Sequence, residues 1–187
     1  MAERTEEQIE EIWDILRETA QSARETKKQM QETDSRMREL DERLTKQITE
    51  LTGSWSKFVE SMVEPSVVRL FKERGVEMEG TQQRVKRRRD GKEIEIDILG
   101  INKEWVVAVE VKTTLKVEDV NEHIERLDRF RNFFPEYNDR KVMGAVAGMR
   151  MEEEADKYAY RRGFFVLAQS GENVIILNDE KFRPRLW

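Results

Sequence analysis

From Ile9 to Leu51 the chain contains neither glycine nor proline. Small or apolar residues return at alternating steps of three and four: Ile9, Ile12, Leu16, Thr19, Ala23, Thr26, Met30, Thr33, Met37, Leu40, Leu44, Gln47 and Leu51. A heptad period sustained over this distance leaves few folds open, because it keeps one narrow seam on one side of a helix. The spacing predicts a coiled-coil helix roughly 65 Å long at about 1.5 Å per residue. The seam is thin in the middle, where alanine and threonine bury little surface. Near its start, Ile9, Ile12, Trp13, Ile15 and Leu16 form a wider apolar patch, suited to a higher oligomer or to a partner. Arg36 with Asp41 suits a parallel pair, but most flanking pairs are neutral and leave the orientation open. The expectation is a homo-oligomer through residues 9–51; a lone, solvated charged helix is the alternative. Gly53-Ser54 is expected to break or kink the helix, dividing the chain into an oligomerisation helix, 1–52, and a globular domain, 53–187.

The charge distribution follows the same division. Residues 1–52 hold nine Lys and Arg against fourteen Asp and Glu, whereas the remainder balances at 25 against 25, so the whole net charge of −5 sits in the first quarter. There is no cysteine. That excludes disulfides, thiolate nucleophiles and cysteine zinc sites, and fits a reducing compartment. No apolar run approaches the ~20 residues of a membrane span, and no basic-then-apolar leader is visible. A cytoplasmic, soluble protein with no membrane partner is expected. There is no glycine-rich phosphate loop, and the one histidine, without a nucleophile elbow, makes no Ser-His-Asp set.

Beyond residue 53 the pattern changes to short elements. Trp55 to Arg74 is amphipathic, with Pro65 expected to kink or restart the helix and Gly75 to cap it. Val76 to Lys86 reads as a strand of poor pattern. Asp90-Gly91 is a hairpin-turn signal, and Lys92 to Leu99 is the returning strand, with Ile94, Ile96 and Ile98 on one face and Glu93, Glu95 and Asp97 on the other. A strand from Trp105 to Lys112 or Thr113, a helix from Val117 to Phe134 stopped by Pro135, and a strand over Lys141 to Ala147 follow. A helix from Met151 to Arg162 and strands at Phe164–Ala168 and Asn173–Leu177 complete the chain. The order predicts an α/β domain: a mixed β-sheet with helices on both faces, preceded by the long helix.

Two of these strands carry the chemistry. In Trp105-Val106-Val107-Ala108-Val109-Glu110-Val111-Lys112, alternation puts Trp105, Val107, Val109 and Val111 on one face and Val106, Ala108, Glu110 and Lys112 on the other. Both faces begin apolar, so both are covered, yet one ends in two charges. A buried charge is costly unless it is paired or ligates a metal. Asp97 on the neighbouring strand is the obvious third member. Asp97, Glu110 and the backbone carbonyl of Val111 offer hard oxygen donors, which suit Mg²⁺ or Mn²⁺ rather than zinc. Such an ion lowers the pKa of a bound water, and Lys112 could activate that water or stabilise charge on a phosphate oxygen. An anionic phosphodiester substrate matches that set.

Asp97 followed by Glu110-Val111-Lys112 on the next strand, in an αβββαβ frame, resembles the PD-(D/E)xK nuclease superfamily, which includes restriction endonucleases and archaeal Holliday-junction resolvases. With His123-Ile124-Glu125-Arg126-Leu127 after it and a coiled coil before it, the run is similar to a prokaryotic family of coiled-coil proteins with a nuclease-like domain. The resemblance covers residues 53–187 and implies a restriction endonuclease-like fold and a Mg²⁺-dependent (or Mn²⁺-dependent) DNA endonuclease. It also implies a glutamate from the first helix facing the metal: Glu60, or Glu64 one turn on. The departure from the pattern is Ile96 where the superfamily motif has proline before Asp97. Glu95 is a further metal contact or a solvated side chain.

The basic run Arg84, Lys86, Arg87, Arg88 and Arg89 is either a solvated hairpin or a set of contacts to the DNA phosphate backbone. His123 either helps bind phosphate beside Lys112 or makes a helix-to-sheet hydrogen bond. The sequence reading is thus a coiled-coil-tethered DNA nuclease, with Asp97, Glu110, Lys112 and Glu60 catalytic, and Asp97, Glu110, Val111 and Glu60 holding the metal. The alternative is a catalytically inactive assembly or adaptor protein whose nuclease-like domain binds nucleic acid or protein.

Overall fold

The computed structural model describes residues 2–152 and 154–187, with side-chain surroundings from Glu11 onward. The side chain of Ile9, first in the seam, and Glu153, inside the helix expected from Met151, lie outside the described residues. The chain divides into two units, Met1–Thr52 and Gly53–Trp187.

The first unit is helical throughout its described length. Every residue from Glu11 to Thr52 is exposed, including the large apolar side chains Ile12, Trp13, Leu16, Met30, Met37, Leu40 and Leu44. The seam threonines Thr19, Thr26 and Thr33 donate their hydroxyls to the carbonyls of Ile15, Ser22 and Gln29, one turn back. This satisfies the polar group locally.

The helical assignment runs unbroken from Ala2 to Glu73 (α1), so Gly53-Ser54 does not interrupt it and Pro65 does not restart it. Proline and glycine inside a helix cost about 3 and about 1 kcal/mol. Beyond residue 53 those costs are outweighed by the apolar stripe Val59, Val63, Val67, Leu70 and Phe71, all buried against the sheet. Pro65 itself is exposed. The helix ends as expected at Gly75, whose φ of +79° is the left-handed cap conformation. Its N–H donates to Lys72 and that of Val76 to Phe71, the paired bonds of a Schellman motif.

The second unit is built on a six-stranded mixed sheet in the order β1-β2-β3-β4-β5-β6, comprising β1 (Gly80–Arg89), β2 (Lys92–Ile101), β3 (Trp105–Leu115), β4 (Lys141–Met151), β5 (Phe165–Ser170) and β6 (Asn173–Ile176). β1, β2 and β3 form an antiparallel meander; β3, β4 and β5 run parallel, joined through α2 (Val117–Phe133) and α3 (Ala155–Arg161); β6 returns antiparallel. At the β1–β2 turn, Asp90 and Gly91 both have positive φ, 50° and 71°, as a type I′ turn requires. Pro135 ends α2 in a short 3-10 turn.

The expected layers are present. Val107, Val109 and Val111 pack with the α1 stripe, while Val106 and Ala108 pack beneath α2 and α3 with Leu127, Phe130 and Phe134. Three boundaries differ from expectation by four residues. β1 starts at Gly80 rather than Val76, because the α1 cap occupies the chain to Val76. β4 runs four residues past Ala147, since Thr114 and Leu115 of β3 pair with Arg150 and Met151. α3 correspondingly begins at Ala155. β2 also breaks strict alternation: Ile94 and Ile96 pack on the α2 side, but Ile98 packs on the α1 side with Leu99 opposite.

Candidate active site

The slip in β2 marks the place where the sheet opens. β2 pairs with β3 only from Ile98↔Val109 to Ile101↔Val106. Earlier in β2, and later in β3, the two strands part. At the same level the β1–β2 register passes from Gln83↔Ile98 to Val85↔Ile96, and Arg84 between them has a φ of +50°. That conformation is uncommon for a residue with a side chain. The β1–β2 hairpin thus bends away from β3 at Asp97. The Asp97 carboxylate takes over from the ladder, accepting a hydrogen bond of 2.8 Å from the Val111 N–H.

The parting leaves a cleft of about 530 Å³ lined by Ser56, Val59 and Glu60 from α1, Arg84, Glu95 and Asp97 from the hairpin, Glu110 to Thr114 from β3, and Arg126 from α2. Glu60, Asp97, Glu110 and Lys112 therefore share one cavity. Glu64 does not join them: Thr81 donates to it at 2.6 Å, and Gln83 holds its other oxygen. Glu95 lines the cleft and is paired with Lys86 at 2.8 Å and Arg84 at 3.8 Å.

Glu110 is 2% exposed and is held by two cations. Arg126 grips both of its oxygens, Nη2 reaching Oε1 at 2.9 Å and Nη1 reaching Oε2. Lys112 Nζ lies 3.0 Å from Oε1 and 3.6 Å from Asp119. Burial pushes the Glu110 carboxyl up, but the nearby imidazole, Arg126 and Lys112 outweigh it and hold the group below the usual carboxylate range. Burial lowers Lys112, but Glu110 and Asp119 outweigh that and raise it above the ordinary lysine value, so its ammonium stays charged at neutral pH. Asp97 behaves in the opposite way. Burial first, and then the adjacent Glu110 charge, push it up from 3.8 to about 7, against the Val111 hydrogen bond. Burial likewise raises Glu60, against the pull of Arg84. Its Oε2 is buried without a hydrogen-bond partner, 3.3 Å from an Arg84 nitrogen that is itself unsatisfied.

This donor set fits a hard divalent ion in chemistry: three carboxylates and the Val111 carbonyl around one opening, two of them crowded enough to resist ionisation, one oxygen unpartnered. It is not gathered as a metal cluster, however. Among the described residues no three Asp, Glu or His side chains converge closely enough to hold an ion. Glu110 is turned to Arg126 and Lys112.

The other expected contacts separate. His123 is fully buried, its Nε2 donating to the Ala108 carbonyl at 3.1 Å. Burial holds its pKa down at about 4. It makes the helix-to-sheet bond and does not reach a surface where a phosphate could meet it. The basic run alternates between two faces. Arg84, Lys86 and Arg88 pair with Glu60, Glu95 and Glu93 on the Glu60 side. Arg87 lies over the Phe134 ring and near Glu136, and Arg89 donates to the Asn132 carbonyl, so both pin the hairpin to the end of α2. Arg126 was not expected in the site. Its signal was available: it sits on the inward stripe of α2 with His123, Leu127 and Phe130, a charge among buried residues.

A family model described as Domain of unknown function (DUF8196) matches residues 64–175, more than half of the chain. The chain belongs to that family, whose matched segment contains Asp97, Glu110, Lys112 and Arg126. No curated protein matches. Solved structures with similarity include "Protein of Unknown Function AF1548", at 21% identity and a TM-score of 0.39 over 63% of this chain and 58% of that one. A repair endonuclease from Pyrococcus abyssi has 22% identity and a TM-score of 0.34, over 55% and 45%. A complex of EndoMS with double-stranded DNA has 17% identity and a TM-score of 0.34, over 57% and 44%. The chain spans about half the length of these proteins. Among the described residues no helix is long and apolar enough to cross a membrane.

Proposed function

We propose that this chain is a metal-dependent DNA endonuclease, oligomerised through its N-terminal helix. The observation that carries the proposal is the convergence of Glu60, Asp97, Glu110 and Lys112 on one cleft where β2 and β3 part. Asp97, Glu110, Glu60 and the Val111 carbonyl are the residues that would hold Mg²⁺ or Mn²⁺. Such an ion supplies an activated water and draws charge from phosphorus. Asp97 is fixed for this by the Val111 N–H, and Glu60 Oε2, beside Arg84, has no hydrogen bond to give up. Lys112, a permanent cation at neutral pH, serves charge stabilisation on the phosphate oxygens rather than proton removal. Arg84, Lys86 and Arg88, on the Glu60 side, contact the phosphate backbone; Arg87 and Arg89 hold the hairpin.

One site cuts one strand, so two copies joined along the seam would place two sites on one DNA. The exposed stripe Leu16, Met30, Met37, Leu40 and Leu44 supports that pairing. The test is cleavage of single-stranded, duplex and branched DNA with Mg²⁺ or Mn²⁺, alongside Lys112→Ala and Asp97→Asn. Metal-dependent cleavage lost in both variants is expected. No cleavage of any form, or equal cleavage by Lys112→Ala, rejects the enzyme. Sedimentation should show an oligomer that Met37→Asp with Leu44→Asp dissociates.

The capture of Glu110 by two cations favours a second reading, an inactive adaptor. Mn²⁺ titration separates the two, since only the enzyme needs binding that depends on Asp97 and Glu110.

A further inference from the structure

Arg126 occupies the group that the proposed site most needs. Glu110 Oε2 has Arg126 Nη1 as its hydrogen-bond partner, while Oε1 is shared between Arg126 Nη2 at 2.9 Å and Lys112 Nζ at 3.0 Å. A divalent ion that takes a Glu110 oxygen competes with both cations, because like charges at contact in a partly buried site repel strongly. Lys112 touches one oxygen and Arg126 touches both, so an ion on either oxygen meets the Arg126 guanidinium. The guanidinium has somewhere to go. Its side chain is 18% exposed, lines the cleft beside Thr113 and Thr114, and has Glu122 at 3.7 Å as a second anchor. A planar guanidinium fork matches a phosphate as well as a carboxylate.

We infer that Arg126 and the divalent ion compete for Glu110, and that the guanidinium released by the ion is the group that receives the substrate phosphate. This rests on the metal-dependent nuclease reading. Arg126 is thereby a counter-charge that keeps the empty site folded and a phosphate contact in the loaded one. Metal and nucleic acid binding become coupled, because each helps the other by moving the same side chain.

The test measures two affinities in the full chain, for Mn²⁺ alone by calorimetry and for a phosphorothioate oligonucleotide by anisotropy, with and without Mn²⁺. In the parent, Mn²⁺ should strengthen oligonucleotide binding about tenfold. Arg126→Gln should bind Mn²⁺ more tightly than the parent and keep only the part of that strengthening that the ion's own contact with phosphate supplies. Arg126→Lys keeps the charge but not the fork, so it should fold where the glutamine variant is weakened. Its Mn²⁺ affinity should lie between those of the parent and Arg126→Gln, or simply above the parent's if the glutamine variant does not fold. Weaker Mn²⁺ binding in Arg126→Gln, rescued by Arg126→Lys, would show that Arg126 merely orients Glu110 and would overturn the inference. So would strengthening that is undiminished in Arg126→Gln. Either result leaves the nuclease reading standing. Absence of Glu110-dependent Mn²⁺ binding in the parent overturns both together.

Discussion

Strand β3 has two flanks, and they are built on different terms. Toward β4 it pairs from Trp105↔Lys141 to Leu115↔Met151, at every position but Thr113. Toward β2 it pairs from Val106 to Val109 and then stops. On the paired flank the central partners, Val142 to Ala147, are apolar, and the backbone satisfies itself. On the flank where pairing stops, Asp97 satisfies the Val111 N–H, and charged side chains fill the space the ladder gave up. The polar cleft is therefore not set into the core. It lies where one hairpin leaves the sheet, and the apolar packing on the other flank makes that departure tolerable.

The two flanks should fail in different ways. Phe130 is fully buried under the paired flank and stacks on Phe134 at 4.5 Å between ring centres. Phe130→Ala should cost about 3–5 kcal/mol in urea unfolding, with Mn²⁺ binding per folded molecule unchanged. A loss below about 1 kcal/mol would mean that this flank does not carry the fold.

The next effect belongs to the parted flank and depends on pH. Asp97 titrates near 7 in the folded chain against an ordinary 3.8, so between these values the folded state holds a proton that the unfolded state has released. Its contribution to stability is complete below about pH 4, falls as pH rises through the window, and levels off above about 7. A rise from 3.8 to about 7 corresponds to up to about 4 kcal/mol. Asp97→Asn should therefore gain stability relative to the parent between pH 5 and pH 8. An unchanged difference at the two pH values would remove burial as the cause. Lys112→Ala comes next, with a cleavage rate lower by about 10²–10³, equivalent to about 3–4 kcal/mol of barrier. Its melting should stay close to the parent's, because Arg126 still neutralises Glu110. Wild-type cleavage in this variant would erase the functional distinction between the flanks.

What could be read from the sequence divides along the same line. The Gly75 cap, the Asp90-Gly91 turn, the α2 stripe and the two faces of β3 are local patterns, and the structure repeats them. Asp97, Glu110 and Lys112 were legible as a site because charge on a covered strand is an anomaly that local patterning exposes. Arg126 carried the same anomaly on α2, but helix stripes tolerate arginine through its long stem, so the signal is weaker. The Ile98 face was not legible, since alternation assumes a strand paired along its length and β2 is not. Helix continuity through Gly53 and Pro65 was hidden for a different reason. Propensity is a property of the local sequence, whereas beyond residue 53 the burial that overrides it comes from strands more than twenty residues away. His123 and the split basic run needed the sheet's geometry: five cations in six residues look like one patch until alternation sends Arg87 and Arg89 to the opposite face.

That split gives the smallest prediction. Arg88 and Glu93 pair at 3.0 Å with side chains 77% and 46% exposed, and such pairs contribute at most about 1 kcal/mol. Arg88→Ala should therefore leave unfolding nearly unchanged. If the Glu60 side of the hairpin tracks a phosphate backbone, however, the same change removes one counterion-releasing contact. DNA affinity should then weaken alike across sequences, and the slope of log affinity on log salt should fall by about one. Arg87→Ala should do the reverse, since Arg87 covers the Phe134 ring: a small loss of stability and an unchanged slope. Slopes unchanged from the parent's in both variants would mean that the hairpin's faces do not differ toward DNA, and that the cleft, rather than the basic run, meets the nucleic acid alone.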